Sequence, residues 1–321
     1  MKRVVVTGAS GFVGANLARR LLRDGHEVHL LLRPGYQAWR VDALRGHAEP
    51  HEVLLHEPDS VGGAVGRIRP DWVFHLAASG AYSWQNDLRQ MVRTNIEGTM
   101  NLVAACLKTG FEAFVNAGTS SEYGYKNTPP SETDFLEPNS HYAVTKAAAT
   151  LFCRHTAQRE QAPLTTLRLY SVYGAYEDAN RFLPTLIRHA LKGKLPPLVA
   201  PDTARDFVHV DDAVEAFLLA ATTSATPGEV YNIGTGVQTT IADAVEVARR
   251  VLGVAEEPVW GSMANRSWDT HSWVADNRHA VDKLGWRPRH NFESGFKAMA
   301  EWLQGGEGLL AAYEQMALRK P

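Results

Sequence analysis

Short β-branched or aromatic runs alternate along this chain with longer segments whose apolar residues recur every three or four positions. Val4-Val5-Val6-Thr7 is the first such run, and residues 15–22 take up helical spacing directly after it. Residues 28–32 follow a turn at Asp24-Gly25, and residues 71–76 form another run that ends at the small residues Ala77, Ala78, Ser79 and Gly80. Residues 111–117 and 164–172 read as two more strands, 91–107 and 142–159 as helices, and 128–140, rich in Pro, Ser and Glu, as a loop. This alternation predicts an α/β fold, a parallel sheet with helices on both faces, whose ligand edge lies at the strand C-termini.

Beyond Gly174 the texture changes. Pro184, Pro196, Pro197 and Pro201 interrupt shorter segments, followed by Tyr231-Asn232-Ile233-Gly234-Thr235-Gly236 and a helix over 241–252. The expected division is a larger domain over 1–174 and a smaller lid-like lobe over 175–321, with the chain crossing between lobes more than once. A chain of 321 residues, 45% hydrophobic, can bury a sizeable core. A formal charge of -2 gives no electrostatic support for nucleic acid or an anionic membrane as partner. The two cysteines, Cys106 and Cys153, stand in apolar helical stretches and read as packing residues rather than a disulfide. No run approaches the roughly 18 apolar residues of a membrane span; a cytoplasmic protein is expected. The 13 histidines are scattered without a spacing such as His-Glu-x-x-His, so no metal site is expected.

Two constellations carry chemistry. Gly8-Ala9-Ser10-Gly11-Phe12-Val13-Gly14 stands between the first strand and its helix, where residues without Cβ atoms let backbone approach a pyrophosphate and the helix N-terminus offers unpaired N–H groups. An isolated glycine triplet marks only a turn; flanked by strand and helix it predicts the first turn of a Rossmann-type, doubly wound sheet. Tyr142 and Lys146, four residues apart, share a helix face, and an ammonium beside a phenol is expected to lower the phenol pKa. The bland alternative is a half-buried tyrosine beside a solvated lysine. Upstream, a strand runs into the hydroxyl-rich loop Thr119-Ser120-Ser121-Glu122-Tyr123-Gly124, from which Thr119 could aim a hydroxyl at a substrate oxygen.

With Arg168-Leu169-Tyr170-Ser171-Val172-Tyr173-Gly174, Arg205-Asp206-Phe207-Val208-His209-Val210-Asp211-Asp212, Asn232-Ile233-Gly234, and Arg266 ten residues before Asp276, the chain resembles the extended short-chain dehydrogenase/reductase family over nearly its whole length, in the nucleotide-sugar epimerase/dehydratase/reductase branch. The resemblance implies catalytic roles for Thr119, Tyr142 and Lys146. It implies dinucleotide contacts from Gly8, Gly11, Phe12, Val13, Gly14, Arg33, Leu76, Ala77, Ala78 and Asn95, together with Tyr142 and Lys146. Substrate contacts would come from Ser120, Ser121, Ser171, Arg205 and Arg266, the two arginines gripping the diphosphate of a nucleotide sugar. A homodimer built on the helices over 87–107 and 142–159 is also implied.

Departures from the family pattern narrow the reaction. Leu32 stands where NAD-users place an acidic residue and Arg33 follows, so NADP is preferred, with NAD the alternative. Ser120 and Ser121 cannot serve as the acid and base that sugar 4,6-dehydratases place after the threonine, and Glu122, on an extended chain, would face away from Ser121. Epimerase-reductases resembling GDP-fucose synthase use a cysteine where Ser121 stands and a histidine after the later Tyr-Gly, where Ala175 and Tyr176 stand here. The loop resembles Ser-Ser-Glu-Glu-Tyr-Gly of GDP-4-keto-6-deoxymannose reductases more than Ser-Ala-Thr-Val-Tyr-Gly of UDP-galactose 4-epimerases. The expected activity is NADP-dependent reduction of a nucleotide-linked 4-keto-6-deoxyhexose at C4. A 4-epimerase is the alternative; a dehydratase and a non-catalytic dinucleotide sensor are less favoured. Trp268 and Trp273 read as core aromatics.

Overall fold

A strand covered on both faces has no polar side, and β1 (Arg3–Thr7) is of that kind, with Val4, Val5 and Val6 all fully buried. The computed structural model describes residues 1–82, 84–223, 226–264 and 270–318. After β1 come α1 (Phe12–Arg23), β2 (Glu27–Leu32), β3 (Glu49–Glu52), α2 (Pro58–Ile68) and β4 (Trp72–His75). A long helix follows in three stretches: α3 (Leu88–Met91), a π-helical stretch (Val92–Glu97) and α4 (Gly98–Thr109). The chain continues through β5 (Ala113–Thr119), a 3-10 turn (Ser120–Tyr123), α5 (His141–Glu160), β6 (Leu164–Leu169) and β7 (Ser171–Tyr173). The remainder is α6 (Phe182–Ala190), β8 (Ala204–Arg205), β9 (Phe207–His209), α7 (Val210–Thr222), β10 (Val230–Ile233), β11 (Thr239–Thr240), α8 (Ile241–Leu252), α9 (Phe292–Gly305) and α10 (Leu309–Leu318).

Seven strands pair in parallel in the order β3-β2-β1-β4-β5-β6-β10, a doubly wound, Rossmann-type sheet. Val4, Val6, Leu30 and Phe74 pack on one face with Leu17 of α1 and Phe217 of α7. Val5, Leu31, Val73 and Phe114 pack on the other with Val65, Leu102, Cys106 and Cys153. Both cysteines are free thiols, and burial pushes each up to about 12. A separate core of Leu183, Leu186, Val245, Phe296, Met299 and Tyr313 holds α6, α8, α9 and α10 together. β10 and α7, both from the 175–321 stretch, join the large sheet and its helical layer.

The expected strand over 164–172 is two strands. The chain leaves the large sheet at Tyr170, whose amide donates to the Ile233 carbonyl (3.0 Å), and β7 pairs instead with β9 in a small parallel sheet. β3, Glu-Pro-His-Glu, has no apolar alternation because it is an edge strand paired only to β2. Among the described residues, no helix is long and apolar enough to cross a membrane.

Candidate active site

The glycine turn is fixed by what surrounds it. Gly8 has φ +70°, and a Cβ there would lie 2.5 Å from the Leu76 carbonyl carbon and 2.6 Å from the Ala77 nitrogen. A Cβ on Gly14 would lie 2.4 Å from the Gly8 oxygen, so α1 can seat against the turn only with glycine at that position. Gly11 donates its amide to the Gly8 carbonyl (2.9 Å) and stands at the N-cap of α1 without a side-chain cap, with Phe12 and Val13 heading the helix. Its first-turn N–H groups are therefore not claimed by a capping side chain. Thr7 Oγ1 accepts the Leu76 and Ala77 amides (3.1 Å each) and lies 2.8 Å from His75 Nδ1. Burial pulls that imidazole down to about 3, which keeps it neutral and structural. Leu76 and Ala77 are half-buried and Ala78 is exposed along this edge.

At the end of β2, buried Leu32 is followed by exposed Arg33, and neither supplies a carboxylate. Arg40 is a residue that sequence reasoning missed. It is buried, donates from Nε to the Tyr176 carbonyl (2.8 Å) and from Nη1 to the Ser10 carbonyl of the glycine turn (3.4 Å), and its Nη2 is buried without a partner. An orphaned guanidinium N–H beside a glycine turn fits an anionic phosphate ligand. Nothing local in the irregular segment after Arg33 signals it.

Thr119 ends β5 and caps the following 3-10 turn, while Ser140 caps α5 by accepting the Ala143 amide (3.1 Å) and so sets Tyr142 in its first turn. The Thr119 side chain lies near enough to the Tyr142 phenol to favour its ionised form, which brings these two expected residues together. Lys146, one helical turn further, is 2% exposed. The expected lowering of the phenol pKa is not found: burial pushes Tyr142 up to about 12, and the opposing effects of Thr119 and Arg181 are smaller. Burial also pulls the Lys146 ammonium down, and nearby Glu122 only partly restores it. Lys146 is not among the groups that act on the phenol, so burial, with the Glu122 charge adding to it, decides the direction.

Glu122 does not lie on an extended chain, as expected, but in the 3-10 turn, where it points into the interior. Its carboxylate accepts Arg168 Nε (2.8 Å) on one oxygen and the Thr119 amide (2.9 Å) and Thr150 Oγ1 (3.0 Å) on the other. Arg168 Nη1 donates to the Tyr123 hydroxyl (2.7 Å), which donates to Asn232 Oδ1 (2.7 Å). This network forms a rigid floor beneath Thr119. Asn95, in the π-helical stretch, is fully buried; both its amide protons are donated within the protein, to the Ser79 carbonyl (2.8 Å) and Thr145 Oγ1 (2.9 Å). The structure thus places its side chain as a tie between the loop after β4 and α5.

Of the residues expected to meet substrate, Ser120 is buried and accepts Trp273 Nε1 (3.2 Å), so Trp273, read from sequence as core, packs against this loop. Ser121 is half-buried beside it. Ser120, Tyr123, Lys126, Tyr170 and Trp273 line one small depression, and the Tyr170 hydroxyl is buried there without a partner. Asp206 turns inward, accepting the Thr235, Gly236 and Ala275 amides at 2.7, 2.9 and 3.0 Å, and Arg205 beside it is half-buried. Ser171, half-buried in β7, donates its amide to the Asp206 carbonyl (3.0 Å). Arg181, at the start of α6, is a cation near Tyr142 that sequence reasoning did not single out. Arg266 and Trp268 lie outside the described residues.

Residues 4–234 match the NAD dependent epimerase/dehydratase family. The solved structure of MoeE5 in complex with UDP-glucose and NAD is 31% identical, covering 94% of this chain and 98% of that one, with a TM-score of 0.81. UDP-glucose 4-epimerase of Thermotoga maritima, solved with UDP-glucose, is 27% identical over 94% of this chain and 98% of its own, with a TM-score of 0.84. A dTDP-glucose 4,6-dehydratase of Streptomyces antibioticus is 28% identical across 93% of this chain and 91% of its own length. With its parallel sheet, glycine turn and Thr119–Tyr142 pair, the chain belongs to the NAD dependent epimerase/dehydratase family, enzymes of the extended short-chain dehydrogenase/reductase group.

Proposed function

We propose that this enzyme reduces the C4 ketone of a nucleotide-diphosphate-linked 4-keto-6-deoxyhexose with NADPH. The observation that carries the reading is the contrast between its two acidic groups. Glu122, the one carboxylic acid in the loop from Thr119 to Gly124, is sealed against Arg168, whereas Tyr142 stands beside Thr119 and is held protonated at neutral pH by burial. With Tyr142 as proton donor and no free carboxylate in that loop, elimination across C5 and C6 lacks an acid and base there, which favours chemistry at one carbon.

Gly8, Gly11 and Gly14 would hold the pyrophosphate, with Arg33 and Arg40 supplying cations for phosphate and favouring NADP over NAD. Bound there, the dinucleotide supplies hydride chemistry. Tyr142 gives its proton to the C4 oxygen, Thr119 donates a hydrogen bond to that oxygen, and Lys146 holds ribose hydroxyls. Arg205, with Arg266, grips the substrate diphosphate. A second reading, 4-epimerisation, is favoured by the likeness to the Thermotoga maritima epimerase. The family helices α4 and α5 leave Met100, Val144 and Leu151 exposed at 43%, 49% and 54%, which supports a homodimer through this face.

The test is incubation with NADPH and a panel of nucleotide-linked 4-keto sugars, beside ordinary nucleotide hexoses with catalytic cofactor. Cofactor oxidation equal to product supports reduction; isomer exchange without net cofactor turnover overturns it in favour of the epimerase. Tyr142→Phe should leave cofactor binding intact and lower turnover by about 10²–10⁴-fold. Retained turnover would remove Tyr142 from the acid role.

A further inference from the structure

β3 lies at the open edge of the sheet, and its register against β2 sets Glu49 opposite His29 and His51 opposite Leu31. Glu49, His51 and His29 therefore meet on one face. His29 Nδ1 lies 3.0 Å from His51 Nε2 and 3.4 Å from Glu49 Oε2, and His51 Nε2 lies 3.8 Å from Glu49 Oε1. Ligand atoms bound tetrahedrally to one zinc ion lie about 3.3–3.5 Å apart, given zinc–nitrogen and zinc–oxygen bonds of about 2.0–2.2 Å. The three separations straddle that value before any ion is introduced.

The protonation pattern also fits. Glu27 Oε1 lies 3.0 Å from His29 Nε2, and an ionised carboxylate can only accept, so His29 carries its proton on Nε2 and turns the Nδ1 lone pair toward His51 and Glu49. A carboxylate on the far nitrogen of a ligating histidine is the usual outer support of a metal site. His29 is buried and half-buried His51 is close to it, whereas Glu49 is mostly exposed, which leaves a path from solvent. Arg67 of α2 is the cation that faces His51, set against the two carboxylates of Glu27 and Glu49.

We propose that His29, His51 and Glu49 bind a divalent transition-metal ion of the zinc class, supported by Glu27, which staples the edge strand β3 to β2. The two-nitrogen, one-carboxylate set suits borderline ions rather than magnesium or calcium, and leaves a fourth position to water. On binding, the proton that joins the two imidazoles leaves His51 Nε2 for its own Nδ1, and the ion takes its place with no change of oxidation state. In the sheet order β1 and β4 separate this cluster from β5, so it stands apart from Tyr142 and is independent of the proposed reaction. A second cluster, His209, Asp211 and His290, is less suited. Its imidazoles lie tilted at 37° with centroids 4.2 Å apart, Asp212 already holds His290 Nδ1 (3.0 Å), and His209 Nδ1 accepts the Asp211 amide (3.4 Å).

The experiment is equilibrium dialysis of the tag-free, chelator-treated full-length protein against Zn²⁺, with Co²⁺ absorption as a second readout. One zinc per chain and the intense visible bands of tetrahedral cobalt are expected. His51→Ala and Glu49→Gln, both on the edge strand, should each abolish that equivalent. Glu27→Gln should weaken it by about 10–100-fold, and His290→Ala should leave it unchanged. Absence of a stoichiometric zinc in the unsubstituted protein, retention of it in both edge-strand variants, or its loss in His290→Ala would each overturn the assignment.

Discussion

Glu122→Gln tests whether the floor beneath Thr119 is held by charge or by shape. The replacement keeps the volume but removes the negative charge that faces Arg168, whose side chain is 3% exposed against 0% for Glu122. It also breaks the donor–acceptor pattern. Arg168 Nε and the Thr119 amide are both donors, and they address opposite oxygens of the carboxylate. An amide has one oxygen, so whichever way Gln sits, one of those donors meets an NH₂ group. Breaking a buried pair by neutralising one partner costs about 3–5 kcal/mol, against about 1 kcal/mol for one neutral hydrogen bond. The Tyr123 hydroxyl and the Glu132 carbonyl (3.3 Å) still receive Arg168 Nη1, which places the expected loss toward the lower end of that range. Urea unfolding followed by tryptophan fluorescence and far-UV circular dichroism measures it. Arg168→Met should cost a similar amount, and the double variant less than the sum of the two, because the orphaned charge goes with its partner. A loss below about 1 kcal/mol in Glu122→Gln, or strict additivity in the double variant, would refute the reasoning.

The raised pKa of Tyr142 fixes the sign of a pH effect. An acid works in its protonated form, so a phenol pushed up to about 12 keeps reductive kcat/KM from falling between about pH 7 and about pH 9, well past the range of an unperturbed histidine. A descending limb centred within that interval would contradict it. Gly8→Ala places a Cβ 2.5 Å from the Leu76 carbonyl carbon at φ +70°. It should lower the melting temperature and weaken NADPH binding together; fluorescence titration that finds wild-type affinity would show that the turn tolerates a side chain. Leu151→Glu puts a charge on a position 54% exposed on α5. The variant should elute as a monomer in light-scattering chromatography while the unsubstituted protein elutes as a dimer, and identical masses would exclude this face as the contact.

Features legible in the sequence are those that a single segment decides. Gly14 is demanded by the Gly8 carbonyl six residues before it, and Tyr142 and Lys146 share a face because helical spacing puts them there. Features that stay hidden depend on which distant residue arrives opposite. Glu122 lies within the loop from Thr119 to Gly124, yet its behaviour is decided by Arg168, 46 positions on, in the strand that pairs with β5. Without that partner the residue reads as a side chain turned away from Ser121; with it, the carboxylate becomes the acceptor that holds the Thr119 amide.

The same dependence explains the edge of the sheet. Glu49-Pro50-His51-Glu52 carries no strand signal of its own, because an edge strand that buries little needs no apolar face, and so its histidine cannot be placed against His29 from spacing alone. Arg40 is obscure for a related reason: it bridges the Ser10 and Tyr176 carbonyls, which belong to segments on either side of Gly174, and only the folded arrangement makes its spare N–H an orphan. Polar residues brought together in this way answer to register and lobe packing rather than to local period. Helical spacing paired Tyr142 with Lys146 and the family resemblance placed Thr119, whereas the carboxylate that holds the Thr119 amide took its role only once β5 and β6 were paired.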